Sequence, residues 1–196
     1  NPGCFATAVT LALLPLAKAG LLSGWVVVDA ATGSSGLGAE PVPGGHHPLR
    51  SDNLKAYGML HHRHMPEVLQ SIGRLSTSVI DLSFVPHSAP MSRGIFATCH
   101  AKLPKGADAA KVEAAFVNQY GKERFVRLCG KESPEIRVIS QTNFCDIGWA
   151  VSGDKLVVLS ALDNLVKGEA GQAVQNLNLM SGFEESTGLL WPGTTP

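Results

Sequence analysis

The chain has no long apolar run. The nearest approach, residues 5–22, is interrupted by Pro15 and Lys18 and falls short of the ~20 apolar residues that span a bilayer. No basic stretch precedes it, so it does not read as a signal peptide. Charge is scarce: Asp, Glu, Lys and Arg make up 16% of the 196 residues, and 16 basic against 16 acidic side chains leave a formal net charge of +0. Such a balance encodes neither a nucleic-acid surface nor a polybasic membrane patch. Aromatic residues are 6%; with so little charge as well, much of the surface is expected to lie against other subunits or a further domain. The four cysteines, Cys4, Cys99, Cys129 and Cys145, show no C-x-x-C spacing. A reduced, cytoplasmic setting is the simplest reading. Internal repeats and low-complexity tracts are missing. So is a dinucleotide fingerprint, because GSSGLG at residues 33–38 is neither G-x-G-x-x-G before a helix nor a P-loop.

What is present begins with NPGCFATAVTLALLPL. Pro2 and Gly3 break any preceding regular structure. From Cys4 good helix formers run on to a stop at Gly20. Cys4 therefore stands at a helix N-terminus, where unpaired N–H groups and the positive dipole end favour an anion. A thiol so placed is expected to ionise more easily than a free one and to act as a nucleophile. The plain alternative is a small buried cysteine at a helix start. A domain seldom opens on its reactive group, so these residues read as the interior of a larger protein.

Further along, GWVVVDAAT reads as a buried strand, followed by a Gly/Pro/Ser-rich segment at residues 33–53 of a length that usually signals function. LKAYGML reads as a short strand and HMPEVLQSIGRL as a helix with Pro66 in its first turn. SVIDLSFVPHSAP, RGIFATCHAKL, FVRLC, EIRVIS, FCDIGWAVSG and KLVVLSAL read as strands, with SGDK as a hairpin turn. Asp108 caps a helix through AAKVEAAFVNQYG. A last helix starts at Asp163 or Asn164 and closes at Gly182. Together these give an α+β domain, a mixed and mostly antiparallel sheet with helices on one face.

Two clusters could carry chemistry with Cys4. HHRHMPE supplies His61, His62, His64 and Glu67. A histidine beside a thiol can take its proton and later return one to a carbonyl or leaving group, and Glu67 could orient His64 from the next helical turn. A metal site is the weaker reading, since adjacent histidines on a strand point to opposite faces and no HExxH or zinc spacing is present. The loop GSSGLG could hold an anion through its N–H groups and the hydroxyls of Ser34 and Ser35, or it is a flexible connection. Arg93 in PMSRG could bind a carboxylate or phosphate bidentately, or form a surface ion pair.

NPGC before a helix, HRHMPE, PMSRG before a strand, FCDIGWAV and DNLVKGEAGQAVQNLNLM occur in this order in the N-acetyl-γ-glutamyl-phosphate reductases. The chain resembles that family over essentially its whole length. GSSGLGAEPVPGGHHPLR and the ending GLLWPGTTP look more like the branch acting on glutamyl or aminoadipyl groups tethered to a small acidic amino-group carrier protein. The resemblance implies a glyceraldehyde-3-phosphate-dehydrogenase-like C-terminal domain, residues 1–196. Its helix at 164–182 is expected to pack on an N-terminal Rossmann domain that these residues do not include. It further implies NADPH-dependent reduction of an acyl phosphate to a semialdehyde in arginine or lysine biosynthesis. Cys4 would form the thioester, His62 would be the acid/base group, and His64 and Glu67 would support it. Asn1, Ser34, Ser35, Gly36 and Arg93 are the expected substrate and phosphate contacts, Asn164 and Gly168 the remnants of the NADPH site. A homodimer or homotetramer is implied. Arg50, Lys55, Arg63 and Arg74 are candidates for docking a carrier protein, or ordinary surface charges. From the residues alone, two other classes stay open: an oligomerisation module, and a Cys/His thiol hydrolase or acyltransferase.

Overall fold

The computed structural model of the chain describes residues 1–193; the last three residues of the GLLWPGTTP tail lie outside the described residues. The first helix, α1, spans Cys4–Lys18 and carries Pro15 inside it. A proline there cannot donate to the carbonyl four residues back. The Tyr120 hydroxyl donates to that carbonyl, Leu11 O, at 2.9 Å, so the interruption leaves no orphaned acceptor. Ala6, Val9, Leu13, Leu16 and their neighbours bury almost the whole helix, because it lies at the centre of the helical layer.

Strand β1, Gly24–Thr32, alternates buried and half-buried residues, as a strand covered on one face should. The other strands are β2 (Lys55–Ala56), β3 (Ile80–Ser88), β4 (Ile95–Lys102), β5 (Val126–Gly130), β6 (Cys145–Ser152) and β7 (Lys155–Leu162). They form a seven-stranded sheet in the order β2-β3-β1-β4-β7-β6-β5. The pairs β1/β3 and β5/β6 are parallel and the rest antiparallel. Gly153 at φ 61 turns the β6–β7 hairpin where SGDK predicts it. The helices α3 (Met65–Leu75) and α4 (Ala109–Tyr120) join α1 on one face. Asp108 caps α4 by accepting from Lys111 N at 2.9 Å. Phe116 stacks on Trp149 beneath it, centroids 4.5 Å apart. None of the described helices is long and apolar enough to cross a membrane.

Two expectations need correction, and a third segment gains detail. EIRVIS is not a strand but the short helix α5, Ile136–Ile139. A brief apolar run has no period long enough to separate the two, and packing decides: Ile136 abuts Gly94, where a Cβ would come within 2.7 Å of its side chain. The segment 33–53 is largely structured, with single 3-10 turns at Ser34–Leu37 and Pro43–Gly45 and a short helix α2, His47–Arg50. The last helix begins as a π turn, Val166–Ala170, before α6 (Gly171–Ser181) ends at Gly182 with φ 72.

One feature of the sheet places the site. Thr32 pairs with Ser88 and Ile95, and Ile95 with Leu162. The ends of β1, β3 and β7 and the start of β4 therefore share one edge. The connections at 33–53, 89–94 and 163–170 converge there, beside the N-terminus of α1.

Candidate active site

Cys4 is the first residue of α1, preceded by Gly3 in extended conformation. Three elements hold this turn. From α3, Glu67 Oε2 accepts the Gly3 N–H at 2.7 Å. From the preceding loop, the His64 ring lies flush against Gly3, filling the space a Cβ would take. From α6, Gln172 Nε2 donates across Pro2 O, Thr7 Oγ1 and Gly168 O at 2.9–3.0 Å. Glu67 thus steadies the cysteine turn itself and, among the described residues, makes no hydrogen bond to His64, whose buried Nδ1 has no partner there.

Cys4 borders two cavities. One, about 380 Å³, is lined by Cys4, Phe5, Arg50, Lys55, Tyr57, His62, Arg63 and Ser88 among others. The second, about 670 Å³, is lined by Asn1, Cys4, Ser35, Gly36, Asn164, Gly168, Glu169 and Ala173 among others. On the side of the second cavity Gly168 presses on the cysteine: a Cβ there would stand 2.7 Å from Cys4 Cβ.

Burial pushes the Cys4 thiol up from its ordinary value, outweighing the N–H of Phe5 at the helix start, and the Glu169 carboxylate adds to the rise. The helix position alone suggests the reverse. Desolvation disfavours the thiolate more than one helix turn favours it, so in this chain the resting thiol is protonated.

His62 is caged by aromatic rings: Phe5 and Phe84 at 5.5 Å, Tyr57 at 5.7 Å and His64 at 4.7 Å. Burial, then the neighbouring His64 and Arg63, lowers its pKa to about 4. His62 is therefore neutral at pH 7. Its Nδ1 accepts the backbone N–H of His64 at 3.2 Å, so the neutral ring carries its hydrogen on Nε2. Burial lowers His64 as well. The Tyr57 hydroxyl is pushed up to about 12 by burial and by Cys4 and stays a donor.

The remaining predicted residues are placed differently. The N–H groups of Gly33, Ser34 and Ser35 donate to Gly94 O, Met91 O and Ser92 O at 2.9–3.0 Å, and that of Gly36 turns back to Gly33 O. The GSSGLG amides are spent on the neighbouring loop and do not form an anion cradle. Ser35 Oγ donates to Ser92 O at 2.7 Å. Ser34 borders neither of the two cavities beside Cys4. Arg93 also borders neither and lies 3.5 Å from Asp163, a fully buried carboxylate. Asp163 also accepts from the backbone N–H groups of Gln141, Leu165 and Val166. Asn164 is fixed by Gly94 N at 2.7 Å and Ser35 Oγ at 3.0 Å. Asn1 Oδ1 accepts from Asn176 of α6. Arg50 is no surface charge: it is 8% exposed. Sequence patterns do not single out Tyr57, Gln172 or Asp163 as site residues. Only Tyr57 carries a signal, an aromatic residue five positions before His62.

The fold is that of semialdehyde dehydrogenase C-terminal domains. A probable aspartate-semialdehyde dehydrogenase of Pseudomonas aeruginosa superposes with a TM-score of 0.71 at 17% identity, over 92% of this chain and 61% of that one. Aspartate semialdehyde dehydrogenase II of Vibrio cholerae gives 0.71 at 15%, over 93% and 62%. Residues 4–164 match the family described as semialdehyde dehydrogenase, dimerisation domain, and the chain belongs to it. Among curated relatives, the N-acetyl-gamma-glutamyl-phosphate reductase of Methanothrix thermoacetophila is 42% identical over the whole chain and 59% of that protein. The enzyme of the same name from Methanocaldococcus jannaschii is 41% identical over the whole chain and 58% of that protein. The chain thus spans somewhat over half the length of the relatives it matches.

Proposed function

We propose that this chain is the catalytic part of an NADPH-dependent acyl-phosphate reductase that forms a γ-glutamyl-type semialdehyde in arginine biosynthesis. The observation that carries this reading is the placing of Cys4 between two cavities, with His62 facing one and Gly168 opening the other. Cys4 Sγ would attack the acyl carbon, the bond to the phosphate oxygen would break, the thiol proton would leave with the departing phosphate, and a thioester would remain on Cys4. His62 is suited to donate from Nε2–H to the carbonyl oxygen as charge develops there. It is poorly placed to take the thiol proton in this state, since its other nitrogen already accepts a hydrogen bond.

The 670 Å³ cavity fits a nicotinamide ring. Gly168 offers no side chain toward Cys4, and the Asn164 amide is held rigid at the wall. When bound, the nicotinamide supplies the hydride that converts thioester to aldehyde. The apolar side chains of Leu177, Leu179, Met180 and Phe183 stand exposed on and just beyond α6; we infer that a nucleotide-binding domain covers them. The face of the sheet opposite the helices leaves Val27, Val85, Phe96, Val157 and Leu159 half-buried, which suits a homo-oligomeric contact consistent with the family's description.

The acetylated substrate is favoured over a carrier-tethered one. Both curated relatives named above bear the acetyl compound's name, and Arg50 is internal and unavailable to dock a carrier. The test is turnover of the full-length enzyme on both acyl phosphates with NADPH, reading aldehyde and phosphate. Cys4→Ser should abolish both products. Retained aldehyde formation in that variant would refute the thioester reading, and activity confined to the carrier conjugate would reverse the substrate choice.

A further inference from the structure

Arg50 is a buried cation without a counter-charge. It is 8% exposed. Its Nη2 donates to Thr32 O at 3.0 Å and Ala89 O at 2.9 Å, and its Nη1 to Ser88 Oγ. Every one of these acceptors is neutral. Among the described residues its buried Nε has no acceptor and no carboxylate forms an ion pair with it. A guanidinium offers five donors, so the protein leaves part of this one unused. A charge buried without a partner is costly, and a bound anion would offset that cost.

The surroundings indicate the partner. Arg50 lines the 380 Å³ cavity together with Cys4 and His62, and two more cations, Lys55 and Arg63, line it too. No Asp or Glu does. The neutral strand-end acceptors hold the guanidinium in one orientation at the ends of β1 and β3, so little ordering remains for a ligand to impose. Arg50 does not border the larger cavity beside Cys4, which separates it from the region assigned above to the nicotinamide.

We propose that Arg50 is the centre of a carboxylate-binding subsite. It would hold the fixed carboxylate of the amino-acid part of the substrate while Cys4 attacks the acyl carbon at the other end. The inference rests on the acyl-phosphate reading, yet it makes a claim about anion recognition that stands apart from the reaction. Arg50 sets specificity for substrates that carry this second negative group, and Lys55 supports it from the cavity's rim.

Cys4 itself reports on the subsite. Iodoacetate carries a carboxylate and iodoacetamide does not, and both alkylate thiols. Their rate ratio at Cys4, normalised to that at 2-mercaptoethanol, should favour iodoacetate by at least about tenfold, the lower end for a charge-assisted hydrogen bond. Arg50→Gln should remove most of that preference, Arg50→Lys part of it, and Lys55→Gln less. An unchanged ratio in a folded Arg50→Gln protein overturns the proposal. If that variant fails to fold, protection of the wild-type protein decides. Glutarate should slow alkylation of Cys4 saturably while glutaramide and inorganic phosphate do not. Protection by phosphate alone, or by none of the three, overturns the carboxylate assignment. Neither NADPH nor an acyl phosphate enters these measurements, so a failed subsite and a failed reductase are told apart.

Discussion

Gly168→Ala tests the cysteine's seat directly. The added Cβ would stand 2.7 Å from Cys4 Cβ and 3.2 Å from both Cys4 Cα and Asp163 O, where ordinary contact begins at 3.4 Å. All of these atoms are backbone or attached to it, so no rotamer change relieves the overlap. The first turn of α1 must move against the π turn at Val166–Ala170. Gln172 bolts those two segments together through Pro2 O, Thr7 Oγ1 and Gly168 O, and Asp163 O already accepts the Gly168 N–H. Overpacking of a tight site costs about 1–3 kcal/mol, and each kcal/mol lowers Tm by roughly 2–4 °C in a domain of this size. Displacement of a nucleophile by a fraction of an ångström up to 1 Å costs up to about 100-fold in rate. Gly73→Ala is the internal control. Gly73 lies in α3 with nothing within 4 Å of the position its new methyl would take, and alanine there should stabilise by about 0.5–1 kcal/mol. Thermal unfolding followed by circular dichroism, with Cys4 alkylation rates at fixed pH, gives both numbers. A Gly168→Ala protein with wild-type Tm and wild-type Cys4 reactivity would refute the packing argument.

Other outcomes follow from the same geometry. His62 has a folded pKa of about 4 against 6.5 when unfolded, so the unfolded chain binds the extra proton between those values. Its contribution is complete above pH 6.5 and is lost as pH falls toward 4; His62→Asn should flatten the dependence of urea midpoints over that window. In the full-length enzyme His62→Ala should lower turnover by ~10²–10⁴-fold, and a larger loss in His64→Ala than in His62→Ala would reverse their roles. Peptide mapping after brief alkylation should find Cys4 labelled, and Cys99 and Cys145 unlabelled, because burial pushes both of the latter to about 12. The labelling rate of Cys4 should still be rising above pH 9, since burial raises that thiol too. Asp163→Ala strips an acceptor from three backbone N–H groups and from Arg93, and should destabilise by about 3 kcal/mol or more in urea titrations.

The local patterns in the chain were sufficient for much of this. The helix from Cys4, the alternation of GWVVVDAAT, the Asp108 cap, the SGDK hairpin and the glycine stop at Gly182 depend on neighbours within a few residues. Each was legible for that reason. The motifs around Cys4 and His62 were legible too, because a cysteine after Asn-Pro-Gly and a histidine cluster before a helix are unusual strings.

What the tertiary structure decided were the questions of which partner each polar group meets. Sequence order offers Glu67 to His64, but folding gives it to Gly3, 64 positions away. GSSGLG looks free to hold an anion until the chain at 91–94 takes its N–H groups. Arg93 and Arg50 are indistinguishable as letters, yet one lies near Asp163 and the other is buried at the strand ends without a carboxylate. The ionisation of Cys4 and His62 was likewise beyond the sequence. It depends on how much water the assembled walls exclude, and desolvation is a property of packing that no short stretch of residues encodes.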